Sequence, residues 1–182
     1  MQTRRRFIQQ TACSLSAAVI ATTVTACSPR LARAQGQEYT VLSPEEAAIL
    51  DALGDTLMPG AAEAGIAHFV DSQLANDVPL LMLNYLDFPM TLVNFYKEGL
   101  KAINELAARE HQADFTTLDP ELRDALIGRV ASGAADPWSG PPAPLFYFAL
   151  RADVVDVCFG TEAGFAELDI PYLPHISPRT PW

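Results

Sequence analysis

The stretch LSPEEAAILDALGDTLMPG (residues 42–60) decides the class of fold. Ser43 is placed to cap a helix, Pro44 takes the first helical position, and Glu46 stands three residues after the cap. That order forms a capping box with proline where its missing N–H is harmless. Glu45 and Glu46 put negative charge at the positive end of the helix dipole. Ala47, Ile49, Leu50, Leu53 and Leu57 then recur at helical spacing. Met58-Pro59-Gly60 ends the run.

The same grammar continues toward the C-terminus. Residues 61–65 read as a small-residue turn, followed by a helix with Ile66, Phe69, Val70 and Leu74 on one face. Asn76-Asp77 closes it before Pro79. Residues 80–110 are apolar-periodic but interrupted by Pro89, which predicts a short helix to about Leu86 and a longer one from about Met90. Asp119-Pro120-Glu121 starts another helix, with Leu122, Leu126, Ile127 and Val130 as its buried stripe. Residues 132–144, SGAADPWSGPPAP, form a Gly- and Pro-rich loop, long enough to suggest partner contact. Residues 145–159 make the most apolar helix, and Gly160 suits its end. The stretch 170–182 holds four prolines together with Tyr172, Leu173, Ile176 and Trp182. It can be neither helix nor central strand, and its apolar anchors suit an extended arm lying on a surface. The expectation is an all-α, single-domain bundle of about five to six helices over 35–182, with 161–182 as the arm.

The N-terminus reads as an address. Thr3-Arg4-Arg5-Arg6-Phe7-Ile8 fits the twin-arginine pattern, with Arg4, Arg5 and Phe7 as its determinants. A weakly apolar run, 15–26, follows; at about 12 residues it falls short of the roughly 20 needed to span a bilayer. Two processing routes fit. Ala32-Arg33-Ala34 is a small-x-small site, which makes 1–34 a removable signal. Val24-Thr25-Ala26-Cys27 resembles a lipobox, which would make Cys27 a lipidated N-terminus. The expected location is the periplasm, with any membrane attachment through a partner or a lipid.

Charge and cysteine content narrow the function classes. After Ala34 the chain holds 7 basic and 22 acidic residues, a net of −15. Nucleic acid and anionic membranes both require a basic face, so they are poor partners for this body. Cys13 and Cys27 precede residue 35, leaving Cys158 as the single later thiol. It is either a small apolar residue on a helix or a bridge to another chain.

Redox chemistry leaves no local signature. There is no G-x-G-x-x-G, no C-x-x-C-H, no cysteine cluster and no H-E-x-x-H. His68 and His111 read as helix-end or surface residues, and His175 lies in the arm. Asp153 and Asp156 share a helix face near Arg151; at that spacing they form a solvated or ion-paired face more often than an acid–base pair.

Three stretches resemble the gluconate 2-dehydrogenase subunit 3 family: residues 42–60 with EAGIAHFVDSQLA (63–75), FYFALRADVVDVCFG (146–160) and GFAELDIPYLPHISPRTPW (164–182). The resemblance implies a small, non-catalytic subunit. It would support folding, twin-arginine export and stability of a large glucose-methanol-choline-type flavoprotein. FAD would then belong to that large subunit and haem c to a multihaem cytochrome, with no cofactor in this chain. Trp138, Tyr172, Trp182 and Cys158 are the candidate partner contacts. The alternative is a stand-alone periplasmic lipoprotein or binding module. An independent helical enzyme using Asp153 and Asp156 is a third, weaker reading.

Overall fold

A computed structural model describes residues 28–171. Arg4, Arg5, Phe7, Cys27, Tyr172, His175 and Trp182 lie outside the described residues. Eight α-helices occur among the described residues, with no strand. They are α1 (Pro29–Ala34), α2 (Pro44–Leu57), α3 (Ala61–Ala64), α4 (Ile66–Leu74), α5 (Leu92–His111), α6 (Pro120–Ser132), α7 (Ala143–Phe159) and α8 (Glu162–Glu167). The five long ones, α2 and α4 to α7, make the expected all-α domain; the short ones raise the number above five or six.

The capping box of α2 forms as its residues dictate. Ser43 Oγ accepts from Glu46 N at 3.1 Å, and Ser43 N donates to Glu46 Oε2 at 2.8 Å. Ala47, Ile49, Leu50 and Leu53 are buried, and α2 packs against α3 to α7. On α5, Phe95, Tyr96, Leu100, Ile103 and Leu106 form the buried stripe. An aromatic cluster fills the centre: Phe95 lies 5.9 Å from Phe146 and 5.8 Å from Phe88, ring centre to ring centre. Gly99 is what lets α5 approach α7 here. A Cβ on it would fall 2.2 Å from the Phe146 ring.

Four expectations need correction. Residues 61–64 are helical rather than a turn, because Gly60 and Gly65, both at φ +91°, break the chain on either side. The segment expected as a short helix to Leu86 is irregular over 78–80, extended at Leu81, and makes one 3-10 turn, Met82–Tyr85. Pro79 and the side-chain acceptors described below hold it so. Leu122 is exposed, since the stripe that α6 buries begins a turn later, at Leu126. The segment from 161 opens with α8, capped by Thr161 Oγ1 accepting from Gly164 N, so 162–167 is helix rather than arm, and the rest of the expected arm from 172 lies outside the described residues.

Candidate interaction surface

Three aspartates organise the connections between helices. Asp71, on α4, is 5% exposed and accepts backbone N–H bonds from Thr40, Val41 and Leu42, each at 2.8 Å. It thereby fixes the chain entering the α2 cap. Asp55, on α2, accepts from Ala62 N at 2.8 Å and holds the start of α3. Asp153, on α7, is 1% exposed. Its Oδ1 accepts from Met82 N at 2.7 Å and its Oδ2 from the buried Tyr96 hydroxyl. Burial pushes the Asp153 carboxyl up to about 7; the hydrogen bonds from Tyr96 and Met82 oppose the rise, and Asp156 adds to it. Burial, the Asp153 charge and their hydrogen bond likewise push the Tyr96 phenol well above its ordinary value.

Asp153 therefore does not stand on a solvated face beside Asp156, as the spacing suggested. Its neighbour Asp156 is exposed, whereas Asp153 points into the body and spends both oxygens on structure. The periodicity of α7 is the reason: Phe146, Ala149, Leu150, Asp153, Val154 and Val157 all lie on its buried side.

What Asp153 holds is an apolar platform. Pro79, Leu81 and Leu83 point inward and are buried. Between and beyond them, Val78 is 74% exposed, Leu80 57% and Tyr85 65%, with Leu86 also exposed. Leu80 N donates to Gln73 Oε1 at 2.8 Å, and Asn84 Nδ2 donates to Pro79 O at 3.0 Å. The platform is thus tied to α4, to α7 and to itself. Single exposed apolar residues are ordinary; four within nine residues on a pinned segment make a candidate docking face. A second apolar stripe runs along α7, where Phe148 and Val155 are exposed seven residues apart on one face. A helix apolar nearly all round needs partners on every side. On α7 the exposed side is mixed, with Arg151 and Asp156 exposed beside Phe148 and Val155.

The predicted contact residues fare differently. Trp138 is half-buried: its indole N–H donates to Pro141 O, and its ring lies 6.2 Å from Phe146. The loop 133–142 is accordingly docked on the body. Cys158 is half-buried near the end of α7, and burial pushes its thiol up. His111 lies in the last turn of α5, as expected. His68 is more enclosed than a surface residue, with Nε2 3.0 Å from Gln37 O and its ring 4.6 Å from that of Tyr39. It lines an open groove of about 1520 Å³ between α1, α4 and the end of α7, with Arg30, Asp71 and Asp156. That exceeds the roughly 300–1,000 Å³ of a small-molecule pocket. Among the described residues no three His, Cys, Asp or Glu side chains gather as a metal site would need, and no helix is long and apolar enough to cross a membrane.

The platform was legible only in part. VPLLMLNYL (78–86) holds more apolar residues than one core-facing stripe uses, and that surplus was its signal.

Exposed apolar residues held by hydrogen bonds from the body make this face a candidate docking surface. A family model described as gluconate 2-dehydrogenase subunit 3 matches residues 44–176, and the chain belongs to that family, the small subunits of dehydrogenase complexes. No curated protein and no solved structure matches the chain.

Proposed function

We propose that this chain is the non-catalytic escort subunit of a periplasmic, membrane-associated dehydrogenase. Its large glucose-methanol-choline-type partner carries FAD and oxidises a CH–OH group, and a multihaem cytochrome c takes the electrons. The chain binds the folded flavoprotein, supplies the twin-arginine signal through Arg4, Arg5 and Phe7, and stabilises the partner by mass action. The observation that carries this reading is the pinned apolar platform on a chain of this family. Val78, Leu80 and Tyr85, with Phe148 and Val155, are its docking residues. Tyr172, Trp182, Trp138 and Cys158 are further candidate contacts along the chain.

The test is to express the flavoprotein with the full chain, without it, and with the double variant Leu80→Asp, Tyr85→Asp. Both positions are exposed, so the fold should keep its stability within about 0.5 kcal/mol. Loss of two central apolar contacts should cut co-purification at least about tenfold. Periplasmic yield and flavin content of the large subunit should fall with it. Unchanged yield and flavin content without the chain would remove the escort role. A monomer with no flavoprotein attached in native membranes would favour the stand-alone lipoprotein instead.

A further inference from the structure

The two processing sites make different demands on α1, and α1 is part of the folded body. It packs against α3 and α4. None of its residues is fully buried, so its hold is polar and backbone-to-backbone. Arg33 forms an ion pair with Asp51 of α2, whose side chain is 16% exposed. Burial pushes the Asp51 carboxyl up, and the Arg33 guanidinium is the chief force opposing that. Arg30 pairs with Glu63 of α3 at 3.1 Å. At Gly65, between α3 and α4, a Cβ would fall 2.3 Å from the Pro29 carbonyl oxygen, so the α1 backbone rests directly on that glycine. Ser28, Pro29, Arg30 and Ala32 also form one wall of the groove that His68 lines.

Cleavage after Ala34 would discard all of this. It would leave the Asp51 carboxylate half-enclosed without its cation, a position that costs far more than an exposed charge. The bond itself lies at the C-terminal end of α1, where Gln35 N donates to Leu31 O at 3.0 Å. A chain exported already folded would present that bond in a closed helical turn rather than in the extended form a peptidase binds. The lipobox-like Val24-Thr25-Ala26-Cys27, at the end of the apolar run 15–26, cuts ahead of α1 and leaves every one of these contacts intact.

We infer that α1 is retained in the mature protein and that processing occurs before Cys27, which becomes a lipid-bearing N-terminus. The Cys27 thiol sulfur attacks the glyceryl carbon of a phosphatidylglycerol. A thioether C–S bond forms, the C–O bond to phosphate breaks, and glycerol phosphate leaves with the thiol proton released. Water then splits the Ala26–Cys27 peptide bond, leaving a carboxylate on Ala26 and a free amine on Cys27. The protein is thereby held at a membrane surface without a spanning helix. This inference rests on the twin-arginine export proposed above but not on the flavoprotein partner, because its readout is the N-terminus of this chain.

The experiment expresses the full chain in a bacterial host with twin-arginine export and lipoprotein processing. The exported form is recovered and its N-terminal peptide and intact mass are measured. The expected result is a chain beginning at Cys27 with a diacylglyceryl thioether, in the detergent-soluble membrane fraction. The variant Ala34→Leu should keep that N-terminus, and Cys27→Ala should lose both the lipid and the membrane fraction. A mature chain beginning at Gln35, or any start without lipid, overturns the inference.

Discussion

Replacing Asp153 with Asn should remove a large part of the pH dependence of stability between pH 5 and pH 8. The folded chain holds this carboxyl at 1% exposure, and burial sets its pKa at about 7 against an ordinary 3.8. Between those values the folded state keeps the proton and the unfolded state has lost it. A native state that binds more protons than the unfolded state loses stability as pH rises. The contribution is therefore fully present below about 3.8 and is lost by about 7. Each pH unit inside that window is worth about 1.4 kcal/mol. From pH 5 to pH 8 the wild type should lose about 3 kcal/mol through this one group. The Asn side chain has the same shape, keeps an acceptor for the Met82 N–H, and carries no charge at any of these pH values. In urea unfolding of both proteins at pH 5 and pH 8, the gap between them should move by about 3 kcal/mol in favour of the variant. In thermal melts the same change is about 6–12 °C for a chain of this size. A gap that stays constant across the range, with matching urea slopes, would refute the assignment of a burial-raised carboxyl to Asp153.

Two further substitutions probe the packing and the pins. Gly99→Ala brings a Cβ to 2.2 Å from the ring of Phe146, which is 2% exposed and walled by Phe95 and Trp138. Overpacking of about 1–3 kcal/mol should outweigh the roughly 1 kcal/mol that alanine gains over glycine in a helix; a variant as stable as wild type in urea would show that the ring is free to move. Asp71→Ala strips the acceptor from three backbone N–H groups at residues 40–42. With Leu42 buried, the loss should be about 2–5 kcal/mol, and those three amides should exchange faster than their neighbours. Unchanged exchange at Leu42 would mean that the carboxylate is not what protects it.

The helices were legible because their signals are local. A cap, a first-turn proline and a 3.6-residue stripe all fall within one window of sequence; α2 and α6 follow from all three, and α5 from its stripe. Asp153 was not legible, because the partners that bury it, Tyr96 and Met82, lie 57 and 71 residues away. Three residues of spacing from Asp156 looked like a shared polar face, and only the packing of α7 separates the two. Leu80 and Leu81 show the same limit. They are adjacent and chemically identical, yet one is 57% exposed and the other fully buried, since an extended backbone sends them to opposite sides. The helix-based expectation for that segment had the wrong period, so it could not sort inward from outward residues.

Apolar stripes and aspartates divide the labour of this fold. The stripes set how helices pack, which any amphipathic sequence with these spacings achieves. Asp55, Asp71 and Asp153 instead reach from a helix to the backbone of a connecting segment, where no ladder of helical hydrogen bonds exists to fix it. Asp71 and Asp153 are buried, and a buried carboxylate is costly to desolvate, a cost that an all-apolar core would avoid. Its value lies in direction: it accepts from particular N–H groups and so sets where the connecting segment goes. For Asp153 that segment is the one presenting Val78, Leu80 and Tyr85. A face ordered during folding needs little further ordering on association, and the entropy of immobilising side chains and loops is among the larger costs of binding. On the function proposed above, weakening the Asp153 hold on Met82 N should loosen binding of the flavoprotein, which co-purification with the Asp153→Asn variant would read.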